Sequence, residues 1–189
     1  MRVIGWIVLL VVLAVIVFVV VGVYNRLVKL NQEANQAFAD IDVQLKQRHD
    51  LVPNLVATVQ GYAGHERGTL EAVIQARNEA VTAGGVQQKA QAEGLLTGAL
   101  RQLFALSEAY PNLKANQNFL QLQSELGDIE NKLAAARRYF NNAVSEFNAS
   151  VQQFPAVLFA GMFGFRQREF FELGEGERAV LDQAPQVKF

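Results

Sequence analysis

The sequence has no cysteine, only four prolines and only two histidines. Without cysteine there can be no disulfide, no thiolate nucleophile and no cysteine-ligated zinc or iron–sulfur site. The same absence suits oxidising and reducing compartments alike. There is no excess of either charge: 17 basic residues face 18 acidic ones, a formal net charge of −1. No basic stripe stands out either, so no nucleic-acid partner is expected. Scarce proline with abundant alanine, glutamine, leucine and glutamate favours helix throughout. No run alternates as a strand would.

Charge is missing altogether from residues 3–25, VIGWIVLLVVLAVIVFVVVGVYN. A helix of that length reaches roughly 35 Å, enough for the hydrocarbon core of a bilayer. Trp6 and Tyr24 fall near its ends and Arg26 follows at once, residue types that settle at a membrane interface. A cleaved signal peptide would have a shorter apolar run and a small-x-small site after it; VGVYNRLVKL offers none. An uncleaved single-span anchor over residues 1–25 is therefore expected, with the lipid bilayer as partner. Arg2 precedes the span, and Arg26, Lys29, Lys46 and Arg48 follow it. That excess favours a cytoplasmic domain after the anchor.

Residues 26–155 read as one all-α bundle domain. From Phe119 to Phe154, steps of three and four pick out Phe119, Leu122, Leu126, Ile129, Leu133, Ala136, Phe140, Ala143, Phe147, Ser150 and Phe154. All but Ser150 are apolar, the seam of a long helix, and Pro155 stops it. Leu27, Leu30, Ala34, Ala37, Phe38, Ile41, Leu45, Val52 and Val59 make a drifting stripe directly after the span. Anchor and first bundle helix are thus expected to be continuous. Shorter helices are predicted from Leu70 to Ala83, ended by Gly84 and Gly85, and from Gln87 to Ala109, with a turn at Tyr110–Asn112. The result is an antiparallel bundle of three or four helices. The number depends on Gly61, Gly64 and Gly68. They mark either a turn or a small-residue face that admits a neighbouring backbone. Three glycines inside one helix would cost roughly 1 kcal/mol each relative to alanine, which favours the turn. Pro53 should kink or restart the helix, and Asp50 could cap a restarted segment.

The stretch RHDLVPNLVATVQGYAGHE holds both histidines, each followed by an acid: His49 with Asp50 and His65 with Glu66. In one continuous helix the histidines would lie about 24 Å apart and nearly opposite. With a turn near Gly61–Gly64 they would still be roughly 16 Å apart. Neither arrangement closes a metal shell with bonds near ~2 Å. Adjacent helical residues diverge by about 100°, so Asp50 does not orient His49. No nucleophile–base or metal constellation is visible, and no cofactor, metal or catalytic residue is assigned. Asp40, Asp42, Arg48, Asp50, Arg77, Glu130, Arg137 and Arg138 are either solvated surface charges or pairs that set helix register. Asn148-Ala149-Ser150 fits a glycosylation sequon but falls on the helix seam.

Residues 156–189 are expected to form a short aromatic helix and an extended tail from about Leu173 to Phe189. The run FPAVLFAGMFGFRQREFF is too short to span a bilayer. Phe159, Met162, Phe163, Phe165, Phe170 and Phe171 could pack under the bundle, lie in the membrane interface, or contact another subunit. An up-down four-helix arrangement would return this segment to the membrane. A three-helix one would point it away.

The stretches YNRLVKL (24–30), IDVQLKQRHDLVPNLVATVQGYAGHE (41–66), LFALSEAYPNLKANQNFLQLQSELGDIENKLAAARRYFNNAV (103–144) and FNASVQQFP (147–155) resemble the LemA family of bacterial membrane proteins. Phe38 stands where tryptophan is common, and Phe140 where tyrosine is. The resemblance implies a short outer N-terminus, one span of the bacterial cytoplasmic membrane and a helical bundle. It implies no established enzymatic activity and no catalytic residues. A relative tied to magnetosome membrane formation makes membrane organisation the expected theme. The expected function is a self-assembling, membrane-anchored scaffold. The alternative is a sensor or adaptor acting on a membrane protease or kinase partner.

Overall fold

The protein, seen in a computed structural model, is described over residues 2–172. The tail expected after Leu173 lies outside the described residues. Helix α1, Arg2–Ala63, is a single helix of 62 residues, about 93 Å long. It carries the uncharged N-terminal stretch into the bundle without a break. Residues 3–19 are exposed all round, and α1 is the one helix among the described residues long and apolar enough to cross a membrane. Burial begins at Leu27 and recurs at Leu30, Ala34, Ala37, Ile41 and Leu45. Those steps of three and four place one apolar stripe along the helix.

Gly64 and His65 turn the chain, and α2 follows at Arg67–Thr82. A Cβ on Gly64 would sit 3.0 Å from the Gln60 carbonyl oxygen, so glycine lets α1 close there. Gly61 and Gly68 face solvent with open space about them. Among the described residues no neighbouring backbone packs against Gly61 or Gly68. α1 also does not restart at Pro53. Asp50 lies inside the helix, exposed, and caps nothing.

Helix α3, Gly85–Ser107, begins at a glycine with φ +74°, a conformation that spares only a residue without Cβ from strain. The turn expected at Tyr110–Asn112 is a one-turn helix α4, Pro111–Lys114, opened by its proline. Asn116 caps α5, Gln117–Gln152, accepting from the Phe119 N–H at 3.0 Å. α1, α2, α3 and α5 thus run up, down, up and down. Tyr62–Asn116 and Glu66–Tyr110 hydrogen bonds join their distal ends.

The core changes character along the axis. At the distal end Leu55, Val59, Val73, Leu96, Leu103 and Phe119 pack from all four long helices. In the middle Ile41, Leu133 and Phe140 pair α1 with α5. Nearest the span, Leu27 and Leu30 meet Phe147 and Val151. α2 has only 16 residues, about 24 Å, so the α2–α3 hairpin covers only the distal half of the α1–α5 pair. Of the seam positions read from the sequence, Phe154 alone points outward. α5 ends at Gln152 because the residue before a proline avoids the helical region. The expected short aromatic helix is instead two 3-10 turns, Ala156–Leu158 and Ala160–Phe163, followed by Gly164 at φ 80° and extended chain. Pro155 lacks a donor and Gly164 breaks the right-handed run, so no α-helix propagates.

Phe140→Ala is expected to lower the unfolding free energy by about 3 to 5 kcal/mol through lost burial and a cavity between α1 and α5. Val43→Ala, at an exposed position of α1, should stay within about 0.5 kcal/mol. Denaturant titration of the detergent-solubilised chain, followed by far-ultraviolet circular dichroism, measures both.

Candidate functional site

The apolar stripe of α1 is interrupted between Leu45 and Val52 by Arg48, which is buried with Glu93 of α3; both side chains are 1% exposed. A guanidinium taken out of water needs charge and acceptors in return. Arg48 Nη1 donates to Glu93 Oε2 at 2.8 Å. Its Nη2 donates to Thr97 Oγ1 at 2.8 Å and meets Glu130 Oε1 of α5 at 2.6 Å. The second Glu93 oxygen lies 2.5 Å from His49 Nε2. Thr97 Oγ1 in turn donates to the Glu93 carbonyl at 2.9 Å. Among the described residues Arg48 Nε, also buried, has no hydrogen-bond partner. One cluster therefore ties three helices together. His49 is oriented by Glu93, from another helix, and not by its neighbour Asp50.

Pro53 belongs to the same device. With no N–H, it leaves the His49 carbonyl, one turn earlier, without its helical donor. Arg77 Nε of α2 donates to that oxygen at 3.3 Å. The helix passes through Pro53 with its orphaned acceptor satisfied by a neighbour. Beside it a groove of about 380 Å³ opens, lined by Asp42, Lys46, His49, Asp50, Arg77 and Lys89 among others. Lys89 Nζ meets Asp42 at 2.5 Å and lies over the Phe38 ring. Among the described residues no hydroxyl or thiol lines this groove, and its histidine nitrogen Nε2 is engaged with Glu93. His65 sits exposed in the α1–α2 turn. Glu66 precedes α2, where it accepts from Tyr110 Oη at 3.1 Å. Among the described residues no three His, Cys, Asp or Glu side chains gather as a metal shell. Hydrogen bonds to Glu66 and Glu33 raise the Tyr110 and Tyr139 phenols above their ordinary value.

The second construction is at the membrane end. After Gly164 the chain turns back along the α1–α5 groove as a strap. Asn148 Nδ2 donates to the Arg168 carbonyl at 2.9 Å, and Asn148 Oδ1 accepts from the Arg168 N–H at 2.8 Å. Asn141 repeats the pattern on Phe171, at 3.2 and 2.9 Å. Seven helical residues rise about 10.5 Å and three extended residues about 10 Å, so two asparagines on one helix face match two rungs of extended chain. Arg168 Nη1 reaches across to Asn31 Oδ1 at 2.9 Å and Asn35 Oδ1 at 2.6 Å on α1. Burial lowers its guanidinium pKa. Asn148, part of the sequon, is thus a structural clamp.

The residues expected at interfaces divide accordingly. Phe171 is only 2% exposed, packed with Phe140 and under the Arg137 guanidinium. It is a core residue and makes no outward contact, because the strap carries it into the groove the short α2–α3 hairpin leaves open. Phe165 is half-buried against Tyr24 and Phe147, and Phe159 is half-buried beside Phe163. Met162, Phe163 and Phe170 are exposed. So are Trp6, Tyr24 and Arg26 on α1.

Sequence reasoning named Arg48 and Glu130 without a partner and missed Glu93, Thr97 and the two asparagines. A signal existed for Glu93. It falls in phase with Leu96, Leu100 and Leu103, as Arg48 falls in phase with Leu45 and Val52. One acid and one base, each alone in an apolar stripe, are natural partners.

The LemA family model matches residues 37–189. Similar proteins include Magnetosome protein MamQ of Magnetospirillum gryphiswaldense, 24% identical over 87% of this chain and 70% of its own length. Magnetosome protein MamQ 2 of Paramagnetospirillum magneticum is 23% identical over 79% of this chain and 64% of that protein. Protein LemA of Metamycoplasma hominis is 28% identical, over 87% of this chain and 76% of its own. The chain spans about two thirds of the length of the MamQ proteins it matches.

Glu93→Ala should cost about 3 to 5 kcal/mol, because it leaves the buried Arg48 charge with only the partly exposed Glu130 carboxylate to balance it. Asp50→Ala should change the melting temperature little; thermal unfolding of both variants in detergent separates the two roles. Asn148→Ala removes two hydrogen bonds from the strap, about 2 kcal/mol or roughly thirtyfold in local opening. Limited trypsin digestion should then cut after Arg168 faster than in the parent protein.

Proposed function

The chain belongs to the LemA family, and from that premise we propose that it is a single-pass, membrane-anchored helical scaffold that assembles with copies of itself and organises the membrane it sits in. The observation that carries this reading is the unbroken α1. A helix that leaves lipid and becomes a bundle strut holds whatever docks on the bundle at a set distance from the bilayer. The surroundings of its polar residues support a structural role. Glu93 engages both Arg48 and His49, and among the described residues no hydroxyl or thiol lines the adjoining groove. We read the protein as non-enzymatic on that ground.

The membrane is read as the bacterial cytoplasmic membrane, with the bundle on the cytoplasmic side, where the basic residues following the span favour it. Two curated relatives carry magnetosome in their names, which supports a role in membrane organisation. Self-assembly is supported by the apolar surface of α1, exposed all round over residues 3–19, along which the helices of several copies can pack side by side.

Native mass measurement of the detergent-solubilised full chain tests the assembly. A discrete multiple of the chain mass, stable on dilution, is expected. A monomer over a broad concentration range overturns the scaffold assembly. A stoichiometric different protein co-purifying in place of self-association would favour an adaptor for a membrane protease or kinase.

A further inference from the structure

We propose that residues 154–163 form a second membrane contact, a foot that lies in the interfacial layer of the leaflet from which α1 emerges. The inference rests on α1 crossing the bilayer. The first argument is height. Tyr24 closes the uncharged stretch of α1, and the rings of Phe163 and Phe165 sit 5.2 and 5.7 Å from its ring. Ala156 and Ala160 pack with Leu27 and with Val23 inside the same small core. The 3-10 turns therefore stand level with the last residues of the span, at the end of the bundle that faces the lipid.

The second argument is which side chains point out. A segment that closes a bundle against water turns its large apolar side chains inward. Here the small ones are inside: Ala156 and Ala160 are buried, while Phe154 is 79% exposed, Leu158 67% and Met162 85%. The inversion suits an apolar phase outside the protein, and at this height the bilayer supplies one.

The third argument is charge. Residues 26–32 and 147–168 contain Arg26, Lys29, Arg166 and Arg168, with the nearest acids, Glu33, Glu146 and Glu169, just beyond. Arg26, Lys29 and Arg166 are exposed beside the foot. Apolar side chains beside Arg26, Lys29 and Arg166, with the Asn148–Arg168 clamp holding the segment in place, match an anionic leaflet surface. Two attachments on one rigid body, α1 and the foot, fix the tilt of the bundle where one helix alone would leave it free to swing.

The absence of cysteine makes the test direct. Val12→Cys, Val43→Cys, Leu158→Cys and Met162→Cys are each spin-labelled in the full chain and reconstituted into phosphatidylcholine–phosphatidylglycerol vesicles. Collision rates with oxygen, which concentrates in lipid, and with a water-soluble nickel chelate are then compared. Positions 158 and 162 should show more oxygen and fewer nickel collisions than position 43, lying between it and the mid-membrane position 12. Labels at 158 and 162 as nickel-accessible as position 43, with a lipid-facing position 12, overturn the foot and leave the anchor standing. Labels there that are shielded from both reagents and broadened by spin–spin coupling mean that a second copy covers the surface, which also overturns it. A nickel-accessible position 12 removes the anchor itself, and the foot with it.

Discussion

A helix passing from lipid into a protein core must change what its surface offers while its backbone stays the same. α1 can do this because, over its uncharged stretch, every backbone hydrogen bond it needs lies within itself. Its surface changes between Tyr24 and Leu27, from apolar all round to apolar on one stripe. The rest of the fold follows from covering that stripe. α5 is antiparallel to it and long enough to pair with it down to Leu27. The α2–α3 hairpin covers only the distal half. The strap, pinned by Asn141 and Asn148, fills the remaining groove with Phe171. The membrane-proximal half is therefore two helices and an extended chain where the distal half is four helices.

α1 is polar or incomplete at two places inside its buried stretch, and each is completed from another helix. Pro53 leaves the His49 carbonyl without a donor, and Arg77 supplies one. Arg48 puts a charge into the stripe, and Glu93 with Glu130 answers it. A buried cluster of this kind contributes less to net stability than to uniqueness of arrangement, since sliding α3 by one turn would strand both charges. It joins α1, α3 and α5 near the level where the four-helix half gives way to the two-helix half. A rigid strut suits that joint.

The stripes of α1 and α5 were legible because burial on one face imposes a period of 3.6 residues on the sequence, whatever the partner. The turn at Gly64 was legible through the cost of glycine in a helix. The burial of Phe171 and the exposure of Phe154 were not. Both residues sit in an aromatic run whose composition says apolar but not which way each ring points. Direction there is set by where α5 ends and by the reversal at Gly164. The clamps at Asn141 and Asn148 left no sequence pattern, because an amide that binds extended backbone looks like any polar residue on a helix.

The sequence by itself determined an uncharged N-terminal stretch long and apolar enough to cross a membrane, the all-α class, the joining of that stretch to the bundle and the seam of the last long helix. Each follows from local composition and periodicity, which one chain segment carries alone. Tertiary structure alone decided that Arg48 would find Glu93, that Arg77 would complete the helix at Pro53, and that the C-terminal aromatic segment would come to rest beside Tyr24. Those outcomes join residues far apart along the chain, and hydrogen bonds and burial respond to distance in space.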